Sequence, residues 1–314
     1  MDDKQAIYTR FVEEIINGGR YELIPEIFDP GYVDHSAPPG APGGLGGVEA
    51  VFRMFRGGFP DVHFTIRTMV SEGDIVATRV TGSGTNDGSF MGIPPTGRQA
   101  TWGSHGIFRV RDGKIVEHWG QPDILALMTQ IGAIPPSVPV RLPADPSPST
   151  ACPAAAVADP HDPSLVAGHE RAVAWVYETA LSRGDVSLVA EHIAPDFLDH
   201  PPAQPFEVAT TGPRAITDTV SGFRTAFPDL AVAVESTVAE GDSIAVRARW
   251  TGTQRGSFFG IPPTGRSIDV ESIDIFRVDR GQLVERFGIW NVMEFMGQLG
   301  LVPAGGPPGD SAAH

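Results

Sequence analysis

The chain has 314 residues, 41% of them hydrophobic and 19% charged, an ordinary globular composition with enough length for one large core or two smaller ones. Its 23 basic and 38 acidic side chains leave a net charge of −15, and no basic patch offsets it, which excludes phosphate backbones and anionic lipid as partners. No apolar run is long enough to span a bilayer, the start MDDKQAIYTRFVEEII lacks the basic region of a secretory signal, and the lone Cys152 offers no internal disulfide, so a reducing cytoplasm is the expected setting.

Taken in chain order, Ile7, Phe11 and Ile15 recur at i, i+4, i+8, with Tyr8, Val12 and Ile16 widening the stripe, and this spacing predicts a helix with one buried side. Tyr21 to Phe28 suggests a short second helix. Gly47 to Phe59 suggests a third, with Val48, Phe52, Phe55 and Phe59 on one side and Gly57-Gly58 and Pro60 ending it. The period then becomes strand-like: Val62–Val70, a turn at Glu72-Gly73-Asp74, Ile75–Gly84, Thr101–Arg111, a tight Asp112-Gly113 turn, and Ile115–Asp123. Leu125–Ile131 closes as a helical turn. Helices followed by antiparallel strands predict an α+β domain, a curved sheet wrapped on helices.

The stretch GSFMGIPPTGR, Gly88 to Arg98, returns 168 residues later as GSFFGIPPTGR, Gly256 to Arg266. That offset holds from Phe59-Pro-Asp61 to Gln130-Ile-Gly132. Upstream it becomes 165, pairing Tyr32-Val-Asp-His35 with Phe197-Leu-Asp-His200. The halves are therefore homologous repeats, each long enough to be a domain rather than a stacking unit. The expected boundaries are 1–134 for domain 1, a proline-rich linker over 135–164, domain 2 over 165–303 and a disordered tail over 304–314. Nine prolines between Pro135 and Pro163 motivate the linker.

Alternation on the last strand of repeat one puts Glu117, Trp119, Gln121 and Asp123 on one face and Val116, His118 and Gly120 on the other. On the preceding strand Thr101, Gly103, His105, Ile107 and Arg109 share a face. A hairpin at Asp112-Gly113 would set His105 across from the Trp119–Asp123 stretch, so that a carboxylate, an imidazole and an indole meet on one wall. Such a pair suits proton transfer near neutrality, and His105 and Asp123 are expected to share the cavity of repeat one. The same aspartate is also placed to cap the helical turn that follows, and His105 and Trp119 would equally fit a packed core. The Asp34-His35 and Asp199-His200 pairs occur in both repeats, which suggests a structural or pocket-rim role. His105, His118 and Asp123 lack metal-site spacing, and Gly43-Gly-Leu-Gly-Gly47 follows no predicted strand, so neither a metal nor a dinucleotide is expected.

GIPPTGR, a strand with IFRV, then DGKIVEHW, an Asp four residues after the Trp and a closing Q-x-G together resemble the SnoaL-like polyketide cyclase family, almost end to end in each repeat. The resemblance implies two tandem α+β cone domains forming an intrachain pseudo-dimer, with further homo-oligomerisation left open. It implies a cyclase that closes rings on polyketide-type intermediates by intramolecular aldol condensation, without metal or organic cofactor, on a hydrophobic small-molecule substrate. It maps the acid/base aspartate onto Asp123 and the assisting histidine onto His105. Trp119, Gln121, Trp102, Phe55, Phe59, Phe90, Met91, His35 and Tyr32 are the candidates for substrate binding. Repeat two has Asn291, Ile273 and Phe287 where repeat one has Asp123, His105 and Trp119, so it is expected to be degenerate or structural, with Glu271 as a residual acid at most. Epoxide opening on the same wall, and a binding protein without turnover, are the alternative functions.

Overall fold

In the computed structural model, which describes residues 2–37, 40–134, 140, 163–204, 208 and 210–301, the chain divides into two units of like build. Nearly all of the expected linker, and the whole of the expected tail, lie outside the described residues.

The first unit opens with α1, Asp3–Arg10, capped by the Asp2 carboxylate, which accepts the Gln5 N–H at 2.9 Å. It continues as a π-helical stretch, Phe11–Asn17. Ile7, Phe11 and Ile15 are all buried, as the i, i+4 spacing predicts. A 3₁₀ turn (Tyr21–Leu23) and a short α2 (Ile24–Ile27) lead into β1, Phe28–Asp34. The sequence analysis did not expect this strand, because Pro30-Gly31 reads as a turn. It forms nonetheless, since it lies at a sheet edge and a register shift between Phe28 and Val33 absorbs the two residues.

Helix α3 spans Gly44–Gly58, and β2 (His63–Glu72), β3 (Ile75–Thr85), β4 (Gln99–Arg111) and β5 (Lys114–Pro122) follow, closed by α4, Ile124–Gln130. The sheet order is β1-β5-β4-β3-β2, antiparallel except for the parallel β1·β5 pair. Asp112 and Gly113 join β4 to β5 with φ of 49° and 73°, the two positive values that a tight hairpin turn requires.

The faces of this sheet decide where a site can be. Phe108 packs against Tyr8 and Phe11 of the first helix at 4.8 and 6.1 Å, and Trp102 packs against Phe55 of α3 at 5.8 Å. Even-numbered residues of β4 therefore face the helices. By register His118 shares that face as the partner of Phe108, whereas His105, opposite Gln121, lies on the other.

The second unit repeats the plan. Helix α5 (Pro163–Ala174) runs on as a π-helical stretch, Trp175–Leu181; α6 (Val189–His192), β6 (Ile193–His200) and α7 (Arg214–Ala226) come next. Strands β7 (Ala231–Glu240), β8 (Ser243–Thr253), β9 (Ser267–Asp279) and β10 (Gln282–Trp290) precede α8, Val292–Gln298. The order is β6-β10-β9-β8-β7.

The repeated GIPPTGR stretch performs the same structural task in both units. Phe90 and Ile93 exchange backbone hydrogen bonds at 2.9 Å around Met91 and Gly92, and Phe258 and Ile261 do so around Phe259 and Gly260. The side-chain oxygen of Asn86 then accepts from both the N–H and the hydroxyl of Thr96, as that of Gln254 does from Thr264. A Cβ at Gly88 would fall 1.8 Å from the Gly57 carbonyl oxygen, and one at Gly256 2.1 Å from that of Thr225, so both positions require glycine.

Candidate functional site

Asp123 is the N-cap of α4. Its side chain accepts the Ala126 N–H at 2.9 Å, and its own N–H bonds the Gly103 carbonyl. Asn291 caps α8 in the same way through the Glu294 N–H at 3.0 Å. The two residue types are equivalent as caps, so the cap itself requires no acid at either position. His105, two positions from Gly103, pairs with Gln121 on the opposite face of the sheet, where it is buried. That face is not the one lined by the helices.

Trp119 and Gln121 share it. Trp119 stacks on His35 at 4.5 Å, and Glu117 is held by Arg109 with His35 at 3.9 Å. Repeat two keeps the whole arrangement: His200 stacks on Phe287 at 4.4 Å, and Glu285 is held by His200 at 3.0 Å and Arg277 at 3.2 Å. Phe55, Phe59, Phe90 and Trp102 form one aromatic cluster on the helix side, with Phe59 and Phe90 fully buried. The Trp102 indole N–H is buried with no hydrogen-bond partner among the described residues. Tyr32 is buried against Phe28, and Met91 is exposed at the turn.

On the helix side of repeat one stand two titratable residues that the sequence analysis set aside. β1 runs beside β5 with Asp34 paired to His118, and the Asp34 carboxylate lies 3.2 Å from His118 Nδ1. Burial alone would raise the Asp34 pKa, but the hydrogen bond and charge of His118 outweigh it and hold the carboxyl below its ordinary value. An ionised carboxylate has no proton to give, so Nδ1–H is the donor, and in the neutral ring Nε2 is the lone-pair acceptor. The ring is fixed by stacking on Phe108 at 4.4 Å. Ser36 ties the corner: its N–H donates to Asp34 at 2.9 Å, and its hydroxyl oxygen accepts the Gly120 N–H. Both side chains of the dyad keep about a quarter of their surface open, 27% for Asp34 and 21% for His118.

Repeat two carries different groups at the same places. Asp199 and Arg286 replace Asp34 and His118 in the parallel pair, 2.8 Å apart, and Asp274 stands where repeat one has Gly106. Arg286 also binds Asp274, from Nε at 3.0 Å and Nη2 at 2.8 Å. Asp274 further accepts from the Tyr177 hydroxyl at 2.5 Å and from Ser272 at 2.8 Å. Burial, reinforced by the Asp274 charge, pushes the Tyr177 hydroxyl well above its ordinary pKa, so it stays protonated. Alternation on β9 made Asp274 legible as an inward acid. The sequence comparison of the repeats passed over it because it tracked the opposite face.

Among the described residues no group of three or more His, Cys, Asp or Glu side chains could hold a metal ion, and no helix is long and apolar enough to cross a membrane.

A family model described as SnoaL-like polyketide cyclase matches residues 6–131 and again 171–299. Among solved structures, the chain is similar to TsrD from Streptomyces laurentii, with 30% identity and a TM-score of 0.40, over 43% of this chain and 99% of the other. It is also similar to IdmH from Streptomyces antibioticus, with 34% identity and a TM-score of 0.38, over 42% and 99%. No curated protein matches the chain. With the family model matched twice over most of its length, the chain belongs to the SnoaL-like polyketide cyclase family, as two copies of that domain in tandem.

Proposed function

We propose that repeat one is an acid/base catalyst of intramolecular aldol-type ring closure on a small, largely apolar carbonyl compound. The observation that carries this reading is the Asp34–His118 pair: a histidine whose Nδ1 is held by a carboxylate and whose Nε2 is unengaged, on the sheet face lined by the helices. His118 Nε2 takes the proton from the carbon next to a carbonyl. The resulting enolate carbon attacks a second carbonyl of the same molecule, forming the ring bond. The alkoxide so formed then takes the proton back from Nε2. Asp34 holds the tautomer and stabilises the transient imidazolium. The unpaired Trp102 N–H supplies a donor for a substrate oxygen, in line with its expected place in substrate binding. Folding one chain into a near-attack shape contributes much of the rate.

This reading moves the acid/base role from Asp123 and His105 to Asp34 and His118. Opening of an epoxide would need a protonated carboxyl at the epoxide oxygen. Asp34, ionised by its histidine, does not fit that part, so carbonyl chemistry is the better match. Asp34→Asn tests the proposal: the amide can donate to Nδ1 and trap the wrong tautomer, and kcat should fall by about 10²-fold or more with little change in KM. Unchanged kcat in a folded variant contradicts it.

A further inference from the structure

Repeat two encloses a cavity whose polar lining is Asp199, Gln204, Thr219, Ser272 and Arg286 and whose apolar side includes Phe223, Trp250 and Trp290. The polar groups are not equally satisfied. Asp274, fully buried, receives three hydrogen bonds, one each from Tyr177, Ser272 and Arg286, and a second ion-pair contact from Arg286 Nη2. Ser272 is engaged on both sides, since its oxygen also accepts the Trp250 indole N–H at 3.0 Å. Among the charged groups Asp199 is the exception. It is 5% exposed, its Oδ1 accepts Arg286 Nη1 at 2.8 Å, and its Oδ2 receives no hydrogen bond from any described residue. This oxygen belongs to a side chain that lines the cavity.

Charge is unbalanced in the same direction. Asp199 and Arg286 line the cavity, with Asp274 and Tyr177 bonded behind them and His200 beside Asp199 paired with Glu285; the tyrosine is neutral, so two carboxylates share one guanidinium. An anionic ligand would meet this surplus of negative charge. A neutral one would leave it uncompensated in a low-dielectric site. A cation would complete it, donating to Asp199 Oδ2, while the aromatic lining offers π faces to the same charge.

We propose that repeat two is a binding site for a small organic ammonium compound with an apolar body, its N–H group paired with Asp199 and its body against Phe223, Trp250 and Trp290. Burial also raises the Asp199 pKa against the pull of Arg286, consistent with a carboxylate that lacks part of its countercharge. The repeat is then a ligand site of its own. The proposal does not rest on the acid/base reading of repeat one.

Isothermal titration of the full chain at neutral pH with ethylammonium, benzylammonium, benzyl alcohol and benzoate tests it. At least one ammonium should bind with a stoichiometry of one, about 10-fold or more tighter than benzyl alcohol, and benzoate should give no heat. Asp199→Asn, nearly identical in shape, should weaken ammonium binding about 10-fold or more. Trp290→Leu, which leaves every charge in place, should weaken the benzylammonium complex, and Asp34→Asn should leave it unchanged. Equal or tighter binding of the alcohol or of benzoate overturns the proposal. So does absence of binding by both ammonium probes to the folded chain, or full affinity in Asp199→Asn. Loss of binding in Asp34→Asn would move the site to repeat one and overturn it equally.

Discussion

The imidazole of His118 lies across the Cα of Gly120: a Cβ added there would stand 2.5 Å from the ring's Cε1 and 2.6 Å from Nε2. Two residues apart on β5, the pair shares the helix-side face, and the absence of a side chain at 120 is what lets the ring lie down along the strand. Gly288 stands in the same relation to Arg286, with a Cβ 2.4 Å from Nη2 and 2.5 Å from Asp274 Oδ1. One small residue thus admits a histidine in one repeat and an arginine in the other.

Gly120→Ala should therefore displace the ring and lower kcat while the domain stays folded, which circular dichroism and a turnover assay together check. Gly288→Ala should destabilise repeat two by about 1–3 kcal/mol, because the new methyl group meets a guanidinium already held by two carboxylates. Neither glycine has a positive φ, so the effect in both cases is one of space.

Tyr177→Phe removes one of the donors to Asp274 and leaves a buried carboxylate oxygen with less support. A loss of about 1–3 kcal/mol is expected in denaturant unfolding of repeat two. The unfolding transition of repeat one should not move.

Asp199 gives a pH signature. Its folded-state pKa is raised by burial, so relative to an uncharged residue it contributes its full stability below the unfolded value, about pH 4, and loses it as pH rises through the folded value. The melting temperature of Asp199→Asn should match that of the parent near pH 4 and exceed it increasingly toward neutrality. A difference that shrinks with rising pH contradicts the assignment.

Much of this architecture can be read from residue patterns. The 168-residue offset is a direct repeat of residue identities; the strand periods and the Asp112-Gly113 hairpin are local, and each appears where the pattern places it. The register that sets His105 opposite Gln121 was also legible. Which face meets the helices was not, because burial on the two faces of β4 is decided by where Tyr8, Phe11 and Phe55 pack, far away in sequence. The Asp34–His118 pair was hidden for a second reason: it forms only through β1, a parallel edge strand whose Pro30-Gly31 mimics a turn, and parallel pairings leave no hairpin signal.

The most direct measurement of the central claim is a side-by-side turnover assay of His118→Ala and Asp123→Asn, using ring closure of an aromatic keto-aldehyde followed by absorbance, with circular dichroism to confirm folding. His118→Ala should lose about 10²–10⁴-fold in kcat, the range for removal of a general base. Asp123→Asn, which keeps the cap that Asn291 already provides in repeat two, should retain most of its activity. The reverse pattern, with Asp123→Asn inactive and His118→Ala near the parent rate, would contradict the account and return the chemistry to the opposite face of the sheet.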